Sequence, residues 1–197
     1  MIDFFIYGDD IDDLMQKYEI NTPLRIAHFL AQIDHESSGL MRMTESLNYS
    51  VEALMATFSR SRISEQQCRM FGRTPTQKAN QKAIANTIYG GEWGKLNLGN
   101  VYPNDGWKYR GRGALMCTGR ANYRAYMKDA EANPELLSKL PYALDFAAWY
   151  WKRNKLNELA SANDIIAITK RINGGLIGIE DRKKKFNYYL NIYKNGK

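Results

Sequence analysis

Residues 22–50 read TPLRIAHFLAQIDHESSGLMRMTESLNYS, and this stretch predicts a helix that ends in a carboxylate. Thr22 can cap the first free amides, and Pro23 suits the first helical position because no needed donor is lost there. Apolar residues then recur at offsets 0, 3, 4 and 7, which is the spacing of one helix face: Ile26, Phe29, Leu30 and Ile33. Three residues further along this face stands Glu36, and Gly39 is a natural helix stop.

The pattern places Glu36 at the end of an apolar face and near the negative end of the helix dipole. Burial and that dipole both disfavour a charged carboxylate, so we expect the protonated form of Glu36 to be favoured. A protonated carboxyl group is what a general acid needs. Glu36 is therefore a candidate general acid.

A second carboxylate, Glu45, follows nine residues later, beyond the predicted helix stop. Its neighbours are polar, which favours ionisation: Thr44, Ser46, Asn48 and Tyr49. Two carboxyl groups in contrasting environments are typical of glycoside hydrolysis, in which one is the acid and the other the base or nucleophile. The spacing alone leaves a second interpretation open, namely two solvated glutamates on the surface.

Several segments of the chain resemble glycoside hydrolase family 19. HESSG and ESLNYS resemble its catalytic segment. Three further segments match the family in order: ANTIYGGEWG (85–94), DGWKYRGRGALMCTGRAN (105–122) and TKRINGGLIGIEDR (169–182). The similarity extends over roughly residues 24–190 and fits the phage endolysin branch best, and several ordered motifs are far more specific than any single one.

The resemblance implies a role for each matching residue. Glu36 matches the general acid, and Glu45 matches the general base that activates water. Thr118 matches a hydroxyl residue that helps to hold this water. Asn122 and Asn173 match asparagines that hydrogen-bond the sugar.

Two further positions complete this comparison. Arg182 is a weaker match to a basic residue near the acid, and we include it among the substrate-binding residues. Met116 stands where the family usually has a glutamine, so one expected sugar contact would be lost with the amide. The catalytic pair itself is retained.

Residues 90–113 contain seven glycines and show no helical period. Four aromatic residues are interleaved with them: Trp93, Tyr102, Trp107 and Tyr109. The segment predicts a long ordered loop, and such loops are usually functional. The aromatic rings could stack on sugars, with Trp107 as the candidate, or pack beneath the loop. We expect at least two of the four to pack.

The remaining helices follow from apolar periodicity and from caps. Ser50 and Ser64 can cap helices over VEALMATF and EQQCRMF, and Gly72 can end the second. Further helices are expected over 76–89 and 119–132, around 143–150, after Asn163, and from about 179. Lys183, Lys184 and Lys185 are expected mostly on the solvated side of the last helix.

The resemblance and the pattern together predict a mainly α, lysozyme-like multi-helix fold. We expect residues 1–197 to form a single catalytic domain in which the Gly- and aromatic-rich loop forms a substrate groove. No apolar run approaches the roughly 18–20 residues of a membrane-spanning helix, so stable membrane insertion is not expected. The first residues do not resemble a signal peptide.

The charge is unevenly distributed along the chain. The net charge is +7, but residues 1–20 hold six acids against one lysine, so the remaining chain carries +12. Such a surface favours an anionic partner, which could be cell-wall polymer, lipid headgroup or nucleic acid. A solvated basic face without a specific partner is the alternative.

Metal and thiol chemistry find little support in the sequence. Cys68 and Cys117 are too few for a disulfide framework or a cysteine zinc site, and we expect buried thiols. His35 and Glu36 do not begin a zinc-binding H-E-x-x-H motif, because Gly39 stands at the last position. His35 could instead orient Glu36 or be a core histidine. No metal or cofactor is expected.

The hypothesis from the sequence is an endolysin that hydrolyses β-1,4 bonds of bacterial peptidoglycan by an inverting mechanism and causes host-cell lysis. A chitinase acting on N-acetylglucosamine polymers and a catalytically dead wall-binding protein are the alternatives. The expected partner is the glycan strand, with possible electrostatic contact to the anionic envelope, and not nucleic acid. We expect a monomer that is made in the host cytoplasm and reaches the cell wall or periplasm through a holin.

Overall fold

The computed structural model describes the backbone of residues 1–2 and 4–194 and the side chains of residues 1–2 and 11–194. It is 62% helical, and the described residues form no strand. Two isolated bridges pair Ser50 with Arg73 and Arg112 with Cys117. The prediction of a mainly α fold is confirmed.

Thirteen α-helices and one 3-10 helix make up the described chain. In chain order they are α1 (Phe4–Lys17), α2 (Pro23–Ser37), α3 (Val51–Thr57), α4 (Glu65–Phe71), α5 (Gln81–Ile88), α6 (Gly91–Leu98), α7 (Asp105–Lys108), α8 (Arg120–Tyr126), α9 (Lys128–Ala132), the 3-10 helix (Pro134–Ser138), α10 (Tyr142–Arg153), α11 (Leu156–Ser161), α12 (Ile165–Asn173) and α13 (Ile179–Lys194). Among the residues described, no helix is both long enough and apolar enough to cross a membrane.

One compact unit comprises residues 1–43, 112–117 and 135–197. Its central helix is α2, which packs against α13 and α11. As predicted, Pro23 begins this helix, and Thr22 Oγ1 accepts a hydrogen bond from the Arg25 amide at 3.3 Å. Phe29 is fully buried and meets Trp151 of α10 edge to face, with ring centroids 5.3 Å apart. Burial of each such side chain contributes about 1.5–3 kcal/mol.

The second compact unit comprises residues 44–111 and 118–134. Its core is a cluster of eight buried side chains: Leu47, Val51, Leu54, Ile63, Cys68, Ile84, Ala85 and Ile88. The predicted helix over residues 65–71 is confirmed with its capping box, in which Ser64 and Gln67 bond each other's backbone amides. The sequence-based prediction of one catalytic domain over residues 1–197 stays a prediction.

The prediction of one long loop over residues 90–113 is wrong, because α6 and α7 lie within it. Gly94 explains the error. A Cβ atom at this position would lie 2.0 Å from the carbonyl oxygen of Tyr89, so glycine is required by a close backbone approach inside a helix. The expectation for the aromatic rings is confirmed, because Tyr109 is fully buried and Trp107 packs partly buried against the core.

Two predicted helices differ in extent from the structure. The helix expected over 76–89 begins only at Gln81, because Asn80 Oδ1 accepts a hydrogen bond from the Ala83 amide and caps it. The helix expected over 119–132 is divided into α8 and α9 by Met127, whose backbone is extended.

The three consecutive lysines of α13 do not share one solvated face. Lys184 is exposed, but the side chain of Lys185 is only 15% exposed. Its Nζ atom lies 2.9 Å from Oδ1 of Asp34 and 3.0 Å from Oδ2 of Asp181. Burial lowers the pKa of Lys185, but these two carboxylates outweigh it and hold that pKa above the usual value. The expectation of a solvated Lys185 is wrong, because its side chain reaches the buried Asp34.

We predict that Lys185→Gln destabilises the protein by about 1.5–3 kcal/mol, because it removes a charged partner from the buried Asp34. The matched control is Lys184→Gln on the exposed side of the same helix, which we expect to change stability by less than about 0.5 kcal/mol. Urea unfolding followed by circular dichroism measures both values. Equal unfolding midpoints for the two variants would contradict the structural role of Lys185.

Candidate active site

Glu36 is the second-last residue of α2, in the first unit, and its side chain is 18% exposed. Nη2 of Arg182, in the first turn of α13, donates a hydrogen bond to Oε1 of Glu36. The Arg182 side chain is only 1% exposed. Ions so poorly solvated are stable only when paired and hydrogen-bonded, so this contact fixes the direction of the carboxyl group.

A chain of hydrogen bonds extends from this ion pair into the core. Nη1 of Arg182 donates to Oε1 of Gln32, which is fully buried one turn before Glu36 on α2. Nε2 of Gln32 donates in turn to Oγ1 of Thr169 of α12, at 3.4 Å. We call Thr169, Gln32, Arg182 and Glu36 the Glu36 network. Its guanidinium group bridges two residues four apart on α2 and so fixes Glu36 relative to the helix.

The environment of Glu36 differs from the apolar one that the helical pattern predicted. Its carboxylate forms an ion pair with the Arg182 guanidinium group. The helical pattern of residues 22–50 could not reveal this cation, because Arg182 lies 146 residues away in the chain. The family resemblance did indicate a basic residue near the acid.

The chain turns sharply after Glu36, as the predicted helix stop at Gly39 implied. The helix ends at Ser37, and three residues in succession have positive φ angles: Ser38 (54°), Gly39 (73°) and Leu40 (69°). Ser37 Oγ donates to the Ile33 carbonyl oxygen and accepts from the Leu40 amide at 2.8 Å, which holds the turn. Left-handed conformations of Ser and Leu cost of order 1–3 kcal/mol each, and such strain clusters at functional sites.

Two residues near Glu36, His35 and Cys117, have surroundings that favour a structural role. Nδ1 of His35 lies 2.6 Å from Oδ2 of Asp181, so His35 binds α13 instead of orienting Glu36. The hydrogen bond from His35 also lowers the pKa of Asp181. Cys117 is buried, and burial together with the negative charge of Glu36 raises the pKa of its thiol. A protonated thiol is a poor nucleophile, as expected for a structural cysteine.

Glu45 belongs to the second unit, where its carboxylate accepts hydrogen bonds on both oxygens. The Gly111 amide donates to Oε1, and the Tyr89 hydroxyl group donates to Oε2 at 2.8 Å. The Glu45 amide donates to the Gly111 carbonyl oxygen at 2.9 Å, so the backbone is held at the same place as the side chain. These donors are neutral, in contrast to the guanidinium group that binds Glu36.

Thr118 and Asn122 lie together in the second unit. Nδ2 of Asn122 donates to the Thr118 carbonyl oxygen at 2.8 Å, across the first turn of α8. The Gly119 amide donates to the Tyr109 carbonyl oxygen at 2.9 Å, which fixes the segment that follows Thr118. The guanidinium carbon of Arg110 lies 3.9 Å from the centroid of the Trp107 ring, so this ring already carries a stacked cation.

Asn173 and Met116 complete the residues named from the sequence. Asn173 is exposed at the end of α12, and its Nδ2 atom donates to the Ile177 carbonyl oxygen at 3.3 Å. Met116 is half-buried and has a φ angle of 50°. The structure thus joins Glu36 to Arg182 in the first unit and Thr118 to Asn122 in the second. The catalytic and sugar-binding roles named from the resemblance stay predictions.

Two residues that hold the candidate carboxylates were missed in the sequence: Gln32, which acts on Glu36 through Arg182, and Tyr89, which binds Glu45 directly. Gln32 lies three residues after Phe29 and four before Glu36, so a polar residue on an apolar helix face was the available signal. Tyr89 stands in the segment ANTIYGGEWG, which matches the family but carries no pattern of its own that points to Glu45.

Comparison with known proteins identifies a relative. No protein-family model matches the chain. A protein of Haemophilus influenzae (strain Rd), named glycosyl hydrolase family 19 domain-containing protein, is 40% identical over 163 residues. The match covers 81% of this chain and 76% of the relative.

Solved structures of similar fold include chitinase C from Streptomyces griseus HUT6037, with a TM-score of 0.55 and 19% identity over 94% of this chain and 69% of that one. A bacterial family 19 chitinase matches with a TM-score of 0.55 and 16% identity, over 93% of this chain and 84% of that one. These matches confirm the predicted lysozyme-like chitinase fold. Because the relative from Haemophilus influenzae is 40% identical over most of both chains, the protein belongs to glycoside hydrolase family 19.

Proposed function

We propose that this glycoside hydrolase is an endolysin of the phage branch that cleaves β-1,4 glycosidic bonds of bacterial peptidoglycan. The observation that carries the choice of substrate is charge. The chain has a net charge of +7, and the part beyond residue 20 carries +12. Peptidoglycan bears carboxylates on its stem peptides, whereas chitin is an uncharged polymer, so the basic protein is electrostatically matched to the former.

In the proposed mechanism Glu36 is the general acid and Glu45 the general base. Arg182 binds Oε1 of Glu36, so the proton to be donated belongs on Oε2. When the proton passes to the leaving oxygen, the guanidinium group stabilises the carboxylate that remains. Glu45, which accepts hydrogen bonds from the Tyr89 hydroxyl group and the Gly111 amide, takes a proton from the attacking water, and Thr118 helps to hold that water.

We further propose that the reaction inverts the anomeric configuration. A water molecule between sugar and base needs carboxyl groups roughly 6.5–9.5 Å apart, whereas a covalent retaining mechanism needs about 5–5.5 Å. Asn122, Asn173 and Trp107 are proposed to bind the sugar. A chitinase is the second candidate, because the solved structures of similar fold include proteins described as chitinases.

The proposed function predicts a substrate preference and a stereochemical outcome. Purified peptidoglycan should be cut into fragments with a single type of reducing-end sugar, and colloidal chitin should be cut much more slowly. Mass spectrometry of the fragments names the β-1,4 linkage, and NMR immediately after cleavage should show inverted configuration. Faster hydrolysis of chitin would favour the chitinase, and a retained configuration would exclude Glu45 as the base of an inverting reaction.

The proposed catalytic residues can each be tested by substitution. Glu36→Gln and Glu45→Gln should each lower hydrolysis by about 10²–10⁴-fold, the usual contribution of a general acid or base. Thr118→Ala should cost less, because water can partly replace one hydroxyl group. The decrease in turbidity of outer-membrane-permeabilised cells measures lysis.

The control is Glu158→Gln, an exposed glutamate on α11 that should leave lysis unchanged. Near-parental activity of Glu36→Gln would overturn its assignment as the acid. A larger loss in Thr118→Ala than in Glu45→Gln would contradict the roles assigned to these two residues.

The basic surface of α13 is predicted to help the enzyme reach the cell wall. Replacing Lys183 and Lys184 by Gln, with Lys185 retained for stability, should slow lysis of permeabilised cells several-fold at low salt. Hydrolysis of short soluble fragments should change less. Salt at physiological strength should reduce the difference, because exposed charges are then screened beyond about 8 Å.

The matched control removes the same charge elsewhere, by Lys78→Gln with Lys82→Gln, both exposed in the second unit. A smaller effect of this pair would indicate that the position of the charge on α13 matters. Parental lysis by the Lys183 and Lys184 variant at low salt would leave these lysines without a role in reaching the wall.

A further inference from the structure

We infer that Tyr89 is a positioning residue for Glu45. Its hydroxyl group orients the carboxylate toward the water molecule from which Glu45 takes a proton. The inference rests on the proposed function, in which Glu45 is the base. Tyr89 O–H donates to Oε2 of Glu45 at 2.8 Å, while the Gly111 amide donates to Oε1. Because each carboxylate oxygen accepts from a donor that is itself fixed, the orientation of the carboxylate is defined.

The main chain at Tyr89 is itself held at three points. The Tyr89 amide donates to the Ala85 carbonyl oxygen at 2.9 Å, at the end of α5. The Tyr89 carbonyl oxygen accepts from Nδ2 of Asn100, a buried side chain that is 3% exposed. Nε of Arg62 donates at 3.0 Å to the carbonyl oxygen of Ile88, the preceding residue. The ring therefore starts from a fixed backbone, as a positioning residue requires.

The segment that follows Tyr89 packs closely against the Tyr89 carbonyl group. Gly94 approaches the Tyr89 carbonyl oxygen so closely that a Cβ atom at position 94 would lie 2.0 Å from it. Asn100 also accepts, through Oδ1, a hydrogen bond from the Arg120 amide at 2.9 Å. Tyr89 is thus the point at which α5, the start of α6 and the start of α8 are held together.

The protonation state of Tyr89 suits a permanent donor. Burial, and then the negative charge of Glu45, raise the pKa of the Tyr89 hydroxyl group well above its usual value. Tyr49 acts in the same direction on Tyr89, and Arg62 opposes them. The hydroxyl group therefore keeps its proton in the range in which such an enzyme works, and it donates that proton to Glu45 in a hydrogen bond without transferring it.

The hydrogen bond from Tyr89 is compatible with the action of Glu45 as a base. A carboxylate oxygen has two lone pairs, so an oxygen that accepts from Tyr89 can still accept from a water molecule. A hydrogen bond to the charged form makes the base slightly weaker, but it fixes the lone pair toward that water. Misplacement by about 1 Å can cost on the order of 10²-fold in rate, so the gain in orientation outweighs the loss in basicity.

Tyr89→Phe removes the hydroxyl group and keeps the ring. With soluble glycan chains from purified peptidoglycan as substrate, we expect kcat to fall about 10–100-fold and KM to change less than about twofold, because the base is misoriented while the sugar contacts remain. The matched control is Tyr18→Phe in the first unit. Tyr18 is half-buried, as Tyr89 is, and its hydroxyl group donates to a carboxylate oxygen, Oδ2 of Asp145, at 2.9 Å. This variant should keep parental kcat.

A double-mutant cycle with Glu45→Ala distinguishes positioning from a structural role. If Tyr89 acts through Glu45, Tyr89→Phe should lower the residual activity of Glu45→Ala by less than about twofold. If Tyr89 had only a structural role, Tyr89→Phe would cause the same 10–100-fold loss in the parental protein and in Glu45→Ala. That result would overturn the inference, and so would parental kcat in Tyr89→Phe alone.

The same variants also test the proposed function, and a different result would contradict it. Near-parental activity of Glu45→Ala would remove Glu45 as the base, whatever Tyr89→Phe does. An inactive Glu45→Ala together with a fully active Tyr89→Phe would leave the proposed function in place and contradict only the positioning role. A fall in kcat for Tyr89→Phe that disappears in the Glu45→Ala background would support both.

Discussion

A buried guanidinium group connects the packing of the first unit with its candidate acid. Arg182 is 1% exposed, and a charge so far removed from water requires polar or charged partners. It finds two of them on a single helix, Gln32 and Glu36 of α2. The contacts that hold α13 on α2 therefore also set the direction of the carboxyl group. Packing and chemistry cannot be changed independently at this place.

Local signals in the sequence were sufficient for the helices that depend on them. Thr22 with Pro23, and Ser64 with Gln67, satisfy amides within one turn, so their effect does not depend on the rest of the chain. The apolar face of α2 likewise follows from its period, and its end before Gly39 follows from the backbone freedom of glycine. These features lead as far as the position of Glu36.

Features that depend on distant parts of the chain could not be predicted in the same way. Gly94 indicates a loop when only its neighbours are considered, but it is required where the start of α6 meets the Tyr89 carbonyl group. Lys185 follows two other lysines, which suggests a solvated run, but one of its two carboxylate partners is Asp34 on another helix. The Glu36 network joins residues up to 150 positions apart. Family resemblance compensated only in part, by indicating Arg182 but not Gln32 or Tyr89.

The donors described for the two candidate carboxylates differ in charge, and this difference bears on their proposed roles. Glu36 is bound by a cation, which would stabilise the carboxylate that a general acid leaves behind. The two donors described for Glu45, a phenol and an amide, are neutral, and each holds one carboxylate oxygen. Neutral donors alone at Glu36 would leave the charge formed on proton transfer without compensation in a poorly solvated place. The Arg182 contact therefore supports Glu36 as the proposed acid, whose carboxylate it would stabilise after proton transfer.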